Sequence, residues 1–353
     1  MKSITKNSPP IEAIDLFCGA GGLSHGLSAR GILVKAGIDI DPHCEYAFTA
    51  NHKKAKFLLK DISKVTGEEL TKFWSKKSIR LLAGCAPCQP FSSYANTKTN
   101  TDSEKWGLLY EFARLIKETT PDLVTMENVP RLAHEMPFAE FLEVLRSLKY
   151  NVAHGVLNAA DYGAAQSRKR IVLIASRIGA VSLPEPTHPG KEKWVSVQKK
   201  IGKLLPLKAG ETDPDDPLHT ASALSPLNLK RIRASSQGGT WRDWPKSLVA
   251  ECHKKESGKH SAGVYGRMEW NKPAPTMTTL CNGYGNGRFG HPEQDRAISL
   301  REAALFQSFP KNYKFVKPGS LVQTRPIAKL IGNAVPPKLG EAVAKSLLNA
   351  IPA

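Results

Sequence analysis

Long apolar runs are missing from this chain. No stretch approaches the roughly 20 apolar residues that a bilayer-spanning helix needs. The opening MKSITKNSPP also lacks the apolar centre of a secretory signal. A cytoplasmic protein with no membrane partner is therefore expected. Cysteine is sparse: six residues without regular spacing in a chain of 353 read as reduced thiols, not as a disulfide framework. Cys85 and Cys88 have C-x-x-C spacing, but a structural zinc site needs two further ligands. Cys252 with His253 offers no second spaced pair, so no metal is expected. Acidic residues are few against basic ones: 32 Asp and Glu face 50 Lys and Arg, for a formal charge of +18. An excess of that size favours a polyanionic partner. Internal repeats and long low-complexity tracts are absent as well, and the length suits one large domain with a smaller one.

What is present is ordered. The first half alternates short apolar runs with amphipathic stretches, the signature of an α/β domain on a mostly parallel sheet. The pattern predicts strands at 13–17, 34–39, 81–84, 122–126 and 171–175. A helix is predicted from near Leu23, and another after Asp41, which could cap it with Pro42 in first position. Leu108, Leu109, Phe112, Leu115 and Ile116 share one helical face, as do Phe138, Phe141, Leu142, Leu145 and Leu148; both stripes read as core. From Arg177 to Gly290 the texture changes to scattered prolines, glycines, tryptophans and basic residues. That segment holds 18 Lys and Arg against 10 Asp and Glu, a surplus of eight positive charges. Regular texture returns at 301–309, and 339–351 reads as a closing helix.

Several clusters carry chemistry. The run DLFCGAGG, Asp15 to Gly22, sets close-spaced glycines between a strand and a helix, where backbone can approach a ligand at a sheet's carboxyl edge. Asp39 follows Gly19 by 20 residues at the end of the second strand, the place where an acid meets ribose hydroxyls. Ser24 stands where the dinucleotide fingerprint requires glycine, so an adenosine cofactor without a pyrophosphate suits the loop better than NAD; S-adenosylmethionine qualifies. LLAGCAPCQPFS displays Cys88 on a proline-flanked turn, as a nucleophile or merely as a small hydrophobe. The polar stretch 92–107 is too long for an idle connector and suggests a lid or binding loop. TMENV puts Glu127 just past a strand, and QSRKR puts Arg168 and Arg170 at the start of another. Taken singly, these could be a helix cap, a salt-bridge partner or a solvated face.

In their joint order the motifs resemble the cytosine-5 DNA methyltransferase family. Eight blocks follow one another: DLFCGAGG, Asp39, Asp61, the PCQ of Pro87 to Gln89, ENV, QSRKR, REAALFQSFP and GNAVPP. The resemblance covers about residues 11–180 and 291–345. It implies a Rossmann-like, S-adenosylmethionine-dependent methyltransferase domain formed by residues 1–183 and 322–353, with a smaller target-recognition domain at 184–321. It further implies a Cys88 thiolate that attacks carbon 6 of a flipped-out cytosine, Glu127 on ring nitrogen 3, and Arg168 with Arg170 orienting the base. Cofactor contacts carry over onto Phe17, Ala20, Gly21, Gly22, Asp39, Asp61, Ile62, Pro87, Leu108, Asn333, Ala334 and Val335. Ile40 stands where some members place an aromatic residue against the adenine, which keeps that contact apolar and removes stacking. Gln89 and Ser92 are DNA-contact candidates near the flipped base. Trp241, Trp244, Tyr265, Tyr284 and Arg288 either serve recognition or pack the small domain. The implied partner is double-stranded DNA and the implied product S-adenosylhomocysteine. A monomeric prokaryotic or viral modification enzyme is expected, with a cognate restriction endonuclease as a candidate partner.

Three competing readings have less support. A tRNA-directed relative would typically carry the tripeptide Cys-Phe-Thr, which is absent. An inactive DNA-binding subunit would not need intact PCQ and ENV motifs. An NAD-dependent dehydrogenase lacks its fingerprint.

Overall fold

A computed structural model describes residues 9–87, 102–259 and 263–352. It divides into two compact units: residues 1–162, 169–186 and 335–353 in the first, and residues 163–168 and 187–334 in the second. The boundaries expected from the sequence fall at 183/184 and 321/322, whereas residues 184–186 pack with the first unit. The structure differs in assigning 163–168 and 322–334 to the second unit.

The first unit is built on seven strands: β1 (Ile11–Leu16), β2 (Leu33–Asp39), β3 (Lys56–Leu59), β4 (Ile79–Gly84), β5 (Leu123–Asn128), β6 (Asn151–Asn158) and β7 (Lys169–Ser176). Their order is β3-β2-β1-β4-β5-β7-β6. The ladders from β3 through β5 are parallel, whereas β7 runs antiparallel to both β5 and β6. The direction of winding reverses between β1 and β4, which makes their carboxyl ends a topological switch point, the place where open α/β sheets bind ligands.

Helices α1 (Gly22–Ser28), α2 (Cys44–Asn51), α3 (Gly67–Thr71), α4 (Asp102–Thr119) and α5 (Met136–Ser147) belong to this unit. In the second unit lie α6 (Val197–Ile201), α7 (Pro226–Arg233), α8 (Glu251–Lys254), α9 (Glu256–Lys259), α10 (Leu300–Phe306) and α11 (Thr324–Asn333). The chain then returns to the first unit as α12 (Pro337–Asn349).

Alternation along β1 shows how the sheet is sandwiched. Ile14 and Leu16 join a core with Phe112, Ile116, Phe141 and Leu145 of α4 and α5, while Ile11 and Ala13 join one with Leu23, Leu27, Leu339 and Val343 of α1 and α12. Both predicted helical stripes are thus core. α1 and α12 meet at bare backbone: a Cβ on Gly26 would lie 2.5 Å from Pro337 O and 2.6 Å from Gly340 C.

Some expected elements shift. Asp41 does not cap a helix starting at Pro42. Its Oδ1 accepts from His43 N at 3.0 Å, closing a turn, and α2 starts only at Cys44. The stretch expected as a loop through Gly107 is helical from Asp102, because α4 begins there.

The second unit has no strand longer than an isolated bridge among the described residues. Its core gathers Ile232, Trp241, Trp244, Tyr284 and Ala297, with Tyr265 packed against them. The tryptophans and Tyr284 are therefore packing residues. Arg267 is buried and binds the carbonyls of Ile232, Ser235 and His291. Arg288 binds those of Gly238 and Arg267. These bonds substitute for sheet ladders in satisfying irregular backbone. No helix among the described residues is long and apolar enough to cross a membrane.

Candidate active site

β1 runs into a turn in which Phe17 (φ 58°), Gly19 (φ 54°) and Gly21 (φ 84°) all adopt left-handed backbone. That conformation is easy for glycine and costly for phenylalanine. A Cβ on Gly19 would meet nothing within 4 Å, so the turn borders open space there. Asp39 closes β2 beside it: Oδ2 accepts from Gly19 N and Oδ1 from Asp41 N, each at 2.9 Å. The next residue, Ile40, is 67% exposed. Ala20, Gly21 and Gly22 are buried at the start of α1.

Beneath the turn, the buried Asp15 accepts a 2.6 Å hydrogen bond from the Ser24 hydroxyl. Burial pushes its carboxyl up to about 7, with the neighbouring Asp39 charge adding to the effect. Burial also pushes the Cys18 thiol up. Asp61 follows β3 and accepts from Ser63 N at 3.0 Å; the hydrogen bonds from Ser63 hold its carboxyl below the usual range. Ile62 behind it is buried. The sequence thus led to one edge for Phe17, Ala20, Gly21, Gly22, Asp39 and Ile40. Leu108 packs half-buried along α4, exposed Pro87 follows β4, and buried Val335 precedes α12.

The second grouping lies where β4 and β5 end. Glu127 sits within β5, not past it, and is 5% exposed. The Cys85 thiol donates to its Oε2 at 3.1 Å. Arg170 Nε, from antiparallel β7, stands 3.3 Å from its Oε1. That approach lacks hydrogen-bonding geometry, and Oε1 is buried with no hydrogen-bond partner among the described residues. Asn128 clamps the neighbouring turn: its amide donates to Ala86 O at 3.0 Å and its Oδ1 accepts from Val129 N at 2.7 Å. Cys88, Gln89 and Ser92 lie outside the described residues.

Arg168, Asn333 and Ala334 belong to the second unit. The buried Arg168 guanidinium donates to Met277 O at 2.8 Å and Gly332 O at 3.0 Å. Asn333 is exposed and Ala334 buried at the end of α11. Sequence reasoning passed over a link in this unit. Gln166 Nε2 donates to Gln307 Oε1 at 2.6 Å, Gln166 Oε1 accepts from Met277 N at 2.7 Å, and Gln307 Nε2 reaches Ala334 O at 3.2 Å. Three motif blocks are thereby tied through two buried amides. A signal was available, since amides inside apolar motif blocks must find partners when buried. Cys85 and Asn128 were missed in the same way, each hidden inside a block read for its neighbour.

A doubly wound sheet with a glycine turn at its switch point and an acid at the neighbouring strand end places the chain in the Rossmann-like α/β class. Comparison with known proteins makes the family definite. The family model for the C-5 cytosine-specific DNA methylases matches residues 11–349, and the chain belongs to that family; it is a DNA (cytosine-5) methyltransferase. It is 51% identical over 337 residues to the Type II methylase M.HgiDII of Herpetosiphon aurantiacus, covering 95% of this chain and 94% of that protein. Identity to the Type II methyltransferase M1.HphI of Haemophilus parahaemolyticus is 34% over 341 residues, covering 95% and 86%. Among solved structures, an Escherichia coli prophage protein described as a DNA modification methyltransferase matches at TM-score 0.74 and 22% identity, covering 96% of this chain and 99% of that one. This last likeness concerns the fold alone.

Proposed function

We propose that this protein methylates carbon 5 of a cytosine flipped out of a specific duplex DNA sequence, using S-adenosylmethionine and a transient covalent bond to Cys88. The observation that carries the reading is Glu127: a carboxylate buried at a strand end, flanked by Cys85 and Arg170, with Oε1 unsatisfied by any hydrogen bond among the described residues. A buried acceptor without a hydrogen-bond donor is costly unless a ligand completes it, and a cytosine offers donors of the right kind, its exocyclic 4-amino group and ring nitrogen 3 once that nitrogen is protonated.

The Cys88 thiolate adds to carbon 6, and the electron pair of the 5,6 double bond moves toward carbon 5 while Glu127 holds a proton at nitrogen 3. Carbon 5 is then nucleophilic enough to take a methyl group, which neutral cytosine resists. Loss of the carbon 5 proton to water, return of the nitrogen 3 proton to Glu127 and departure of sulfur with the electron pair of the sulfur–carbon 6 bond restore the ring and the Cys88 thiolate. Arg170 fixes the Glu127 carboxyl, and Arg168, its fork held by two carbonyls, is the second base-orienting cation of the proposal. Flipping costs a few kcal/mol, because the target carbon is inaccessible within the stack.

The residues at the glycine turn fit an adenosine cofactor. Asp39 has lone pairs left for ribose hydroxyls after its two backbone bonds, exposed Ile40 offers an apolar face, and the space over Gly19 is open. When bound, S-adenosylmethionine supplies an electrophilic methyl on a sulfonium that leaves as neutral S-adenosylhomocysteine. Phe17, Ala20 to Gly22, Asp61, Ile62, Pro87, Leu108 and residues 333–335 complete the proposed cofactor contacts, with Gln89 and Ser92 near the DNA. The basic, strand-poor second unit is the proposed target-recognition domain. The Type II naming of the relatives supports a place in a restriction-modification system.

Cys88→Ala is expected to abolish methyl transfer while leaving DNA binding largely intact, because the nucleophile serves chemistry and not phosphate contact. Duplex carrying 5-fluorocytosine should trap a stable adduct, since fluorine does not leave carbon 5 as a proton does. Retained turnover in the variant, or an adduct that mass spectrometry maps to another residue, would refute the covalent reading.

A further inference from the structure

The second unit carries a basic projection that none of the roles above uses. Within this unit, residues 303–334 contain Lys311, Lys314, Lys317, Arg325 and Lys329 and not one Asp or Glu. In the middle of this run the chain makes a tight turn. Pro318 and Gly319 occupy its two central positions, Gly319 has φ 78°, and Ser320 N donates to Lys317 O at 3.0 Å. Proline followed by a left-handed glycine is the geometry of a type II turn, stiff because proline presets one dihedral and glycine alone adopts the next without strain.

Its footing is equally firm. Phe309, Tyr313 and Phe315 are buried and mutually packed, with ring centroids 4.6, 5.0 and 5.2 Å apart. Held up by this base, Leu321 is 93% exposed, and Lys317 and Arg325 beside it are exposed too. A single exposed leucine is ordinary. This one is different because it directly follows a preorganised turn within a stretch of sequence that carries basic residues and no acidic ones, a combination that suits a polyanion with apolar sugar faces.

We propose that residues 317–325 form a DNA-contacting element separate from base recognition: Lys317 and Arg325 neutralise phosphates of the duplex, and Leu321 packs against deoxyribose or wedges at a base step. This rests on the reading of the protein as a DNA methyltransferase. Phosphate contacts position a protein without reading sequence, and apolar wedges beside basic side chains are a recurrent way of gripping a deformed duplex. A stiff turn suits the task because little ordering entropy remains to be lost on binding.

The test compares wild type, Lys317→Gln/Arg325→Gln and Leu321→Ala for binding to a duplex carrying the methylated site, across a salt series. The double variant should weaken binding on the order of tenfold and lower the slope of log affinity against log salt by about 0.9 for each phosphate that is no longer neutralised. Leu321→Ala should weaken binding several-fold at unchanged slope. Acylation of Lys317 by a soluble ester, read by mass spectrometry on the wild-type protein, should be slowed by duplex and not by S-adenosylhomocysteine, a readout immune to misfolded variants. Unchanged slope and affinity in the double variant, or Lys317 equally reactive with and without DNA, would overturn the proposal. So would sedimentation showing that Leu321→Asp breaks a wild-type dimer without affecting DNA binding. If wild type itself neither binds nor methylates duplex DNA, the fault lies with the proposed function and not with the turn.

Discussion

Asp39 joins two strand ends through backbone amides while keeping its outer lone pairs for a ligand. Asp39→Ala should therefore raise the dissociation constant for S-adenosylmethionine by about 10- to 100-fold, the worth of one charge-assisted hydrogen bond or a little more. The effect on DNA affinity should be smaller. Calorimetry on the apoprotein decides this, and an unchanged cofactor constant would remove Asp39 from the site. Asp15 makes a different kind of prediction. Its carboxyl titrates near 7 when folded, against an ordinary 3.8, because burial disfavours the charged form. Between those values the folded protein holds a proton that the unfolded chain has released, so this group makes stability fall as pH rises from about 4 to 7 and then level off. His52 and His291, lowered by burial to about 4 from 6.5, tilt stability the opposite way over an overlapping window. Only the difference between wild type and variant isolates Asp15. Asp15→Asn should gain on wild type from pH 5 to pH 8 by an amount on the order of a few kcal/mol at most, visible in urea midpoints. A constant difference across that range would show Asp15 to titrate normally.

Gly26 tests the packing of one helix on another. By intrinsic propensity, alanine within α1 should stabilise by about 1 kcal/mol. The added methyl, however, would meet the backbone of Pro337 and Gly340, which cannot rotate aside. Overpacking costs about 1–3 kcal/mol, so Gly26→Ala should be destabilising on balance; a raised melting temperature would contradict the close approach of α1 and α12. The same elements show how far the sequence could be read. β1, β4 and β5 are buried along nearly their whole length and announced themselves as apolar runs with motifs at their ends. β3 and β6, the two edges, were not predicted, since KFLL and NVAHGVLN bury too little for either a continuous or a clean alternating signal. The positions of Gly19, Asp39 and Glu127 were legible because each stands at or next to a strand end. The Gln166–Gln307 link was not, because pairing across 141 residues leaves no local trace.

Across the whole molecule, one unit carries the motif-rich sheet, and the other has a basic surplus and few regular elements. Exchanging residues 187–290 for the corresponding segment of a relative with a different target should therefore change the methylated sequence and leave the Cys88 and Glu127 chemistry intact. Genome-wide bisulfite sequencing of expressing cells reads the outcome, and an active chimera faithful to the original sequence would place recognition elsewhere. Arg30 and Glu341, 311 residues apart, form an ion pair 3.2 Å long where α1 lies along α12. On a ribosome adding about 5–20 residues per second, the partner surface for α1 emerges some 15–60 seconds after α1 itself. Leu23 and Leu27 remain uncovered by α12 throughout that interval, so a nascent chain halted before Pro337 should be bound by chaperones and cut by proteases near its glycine turn. The glycine turn is thus translated long before the helix that covers α1.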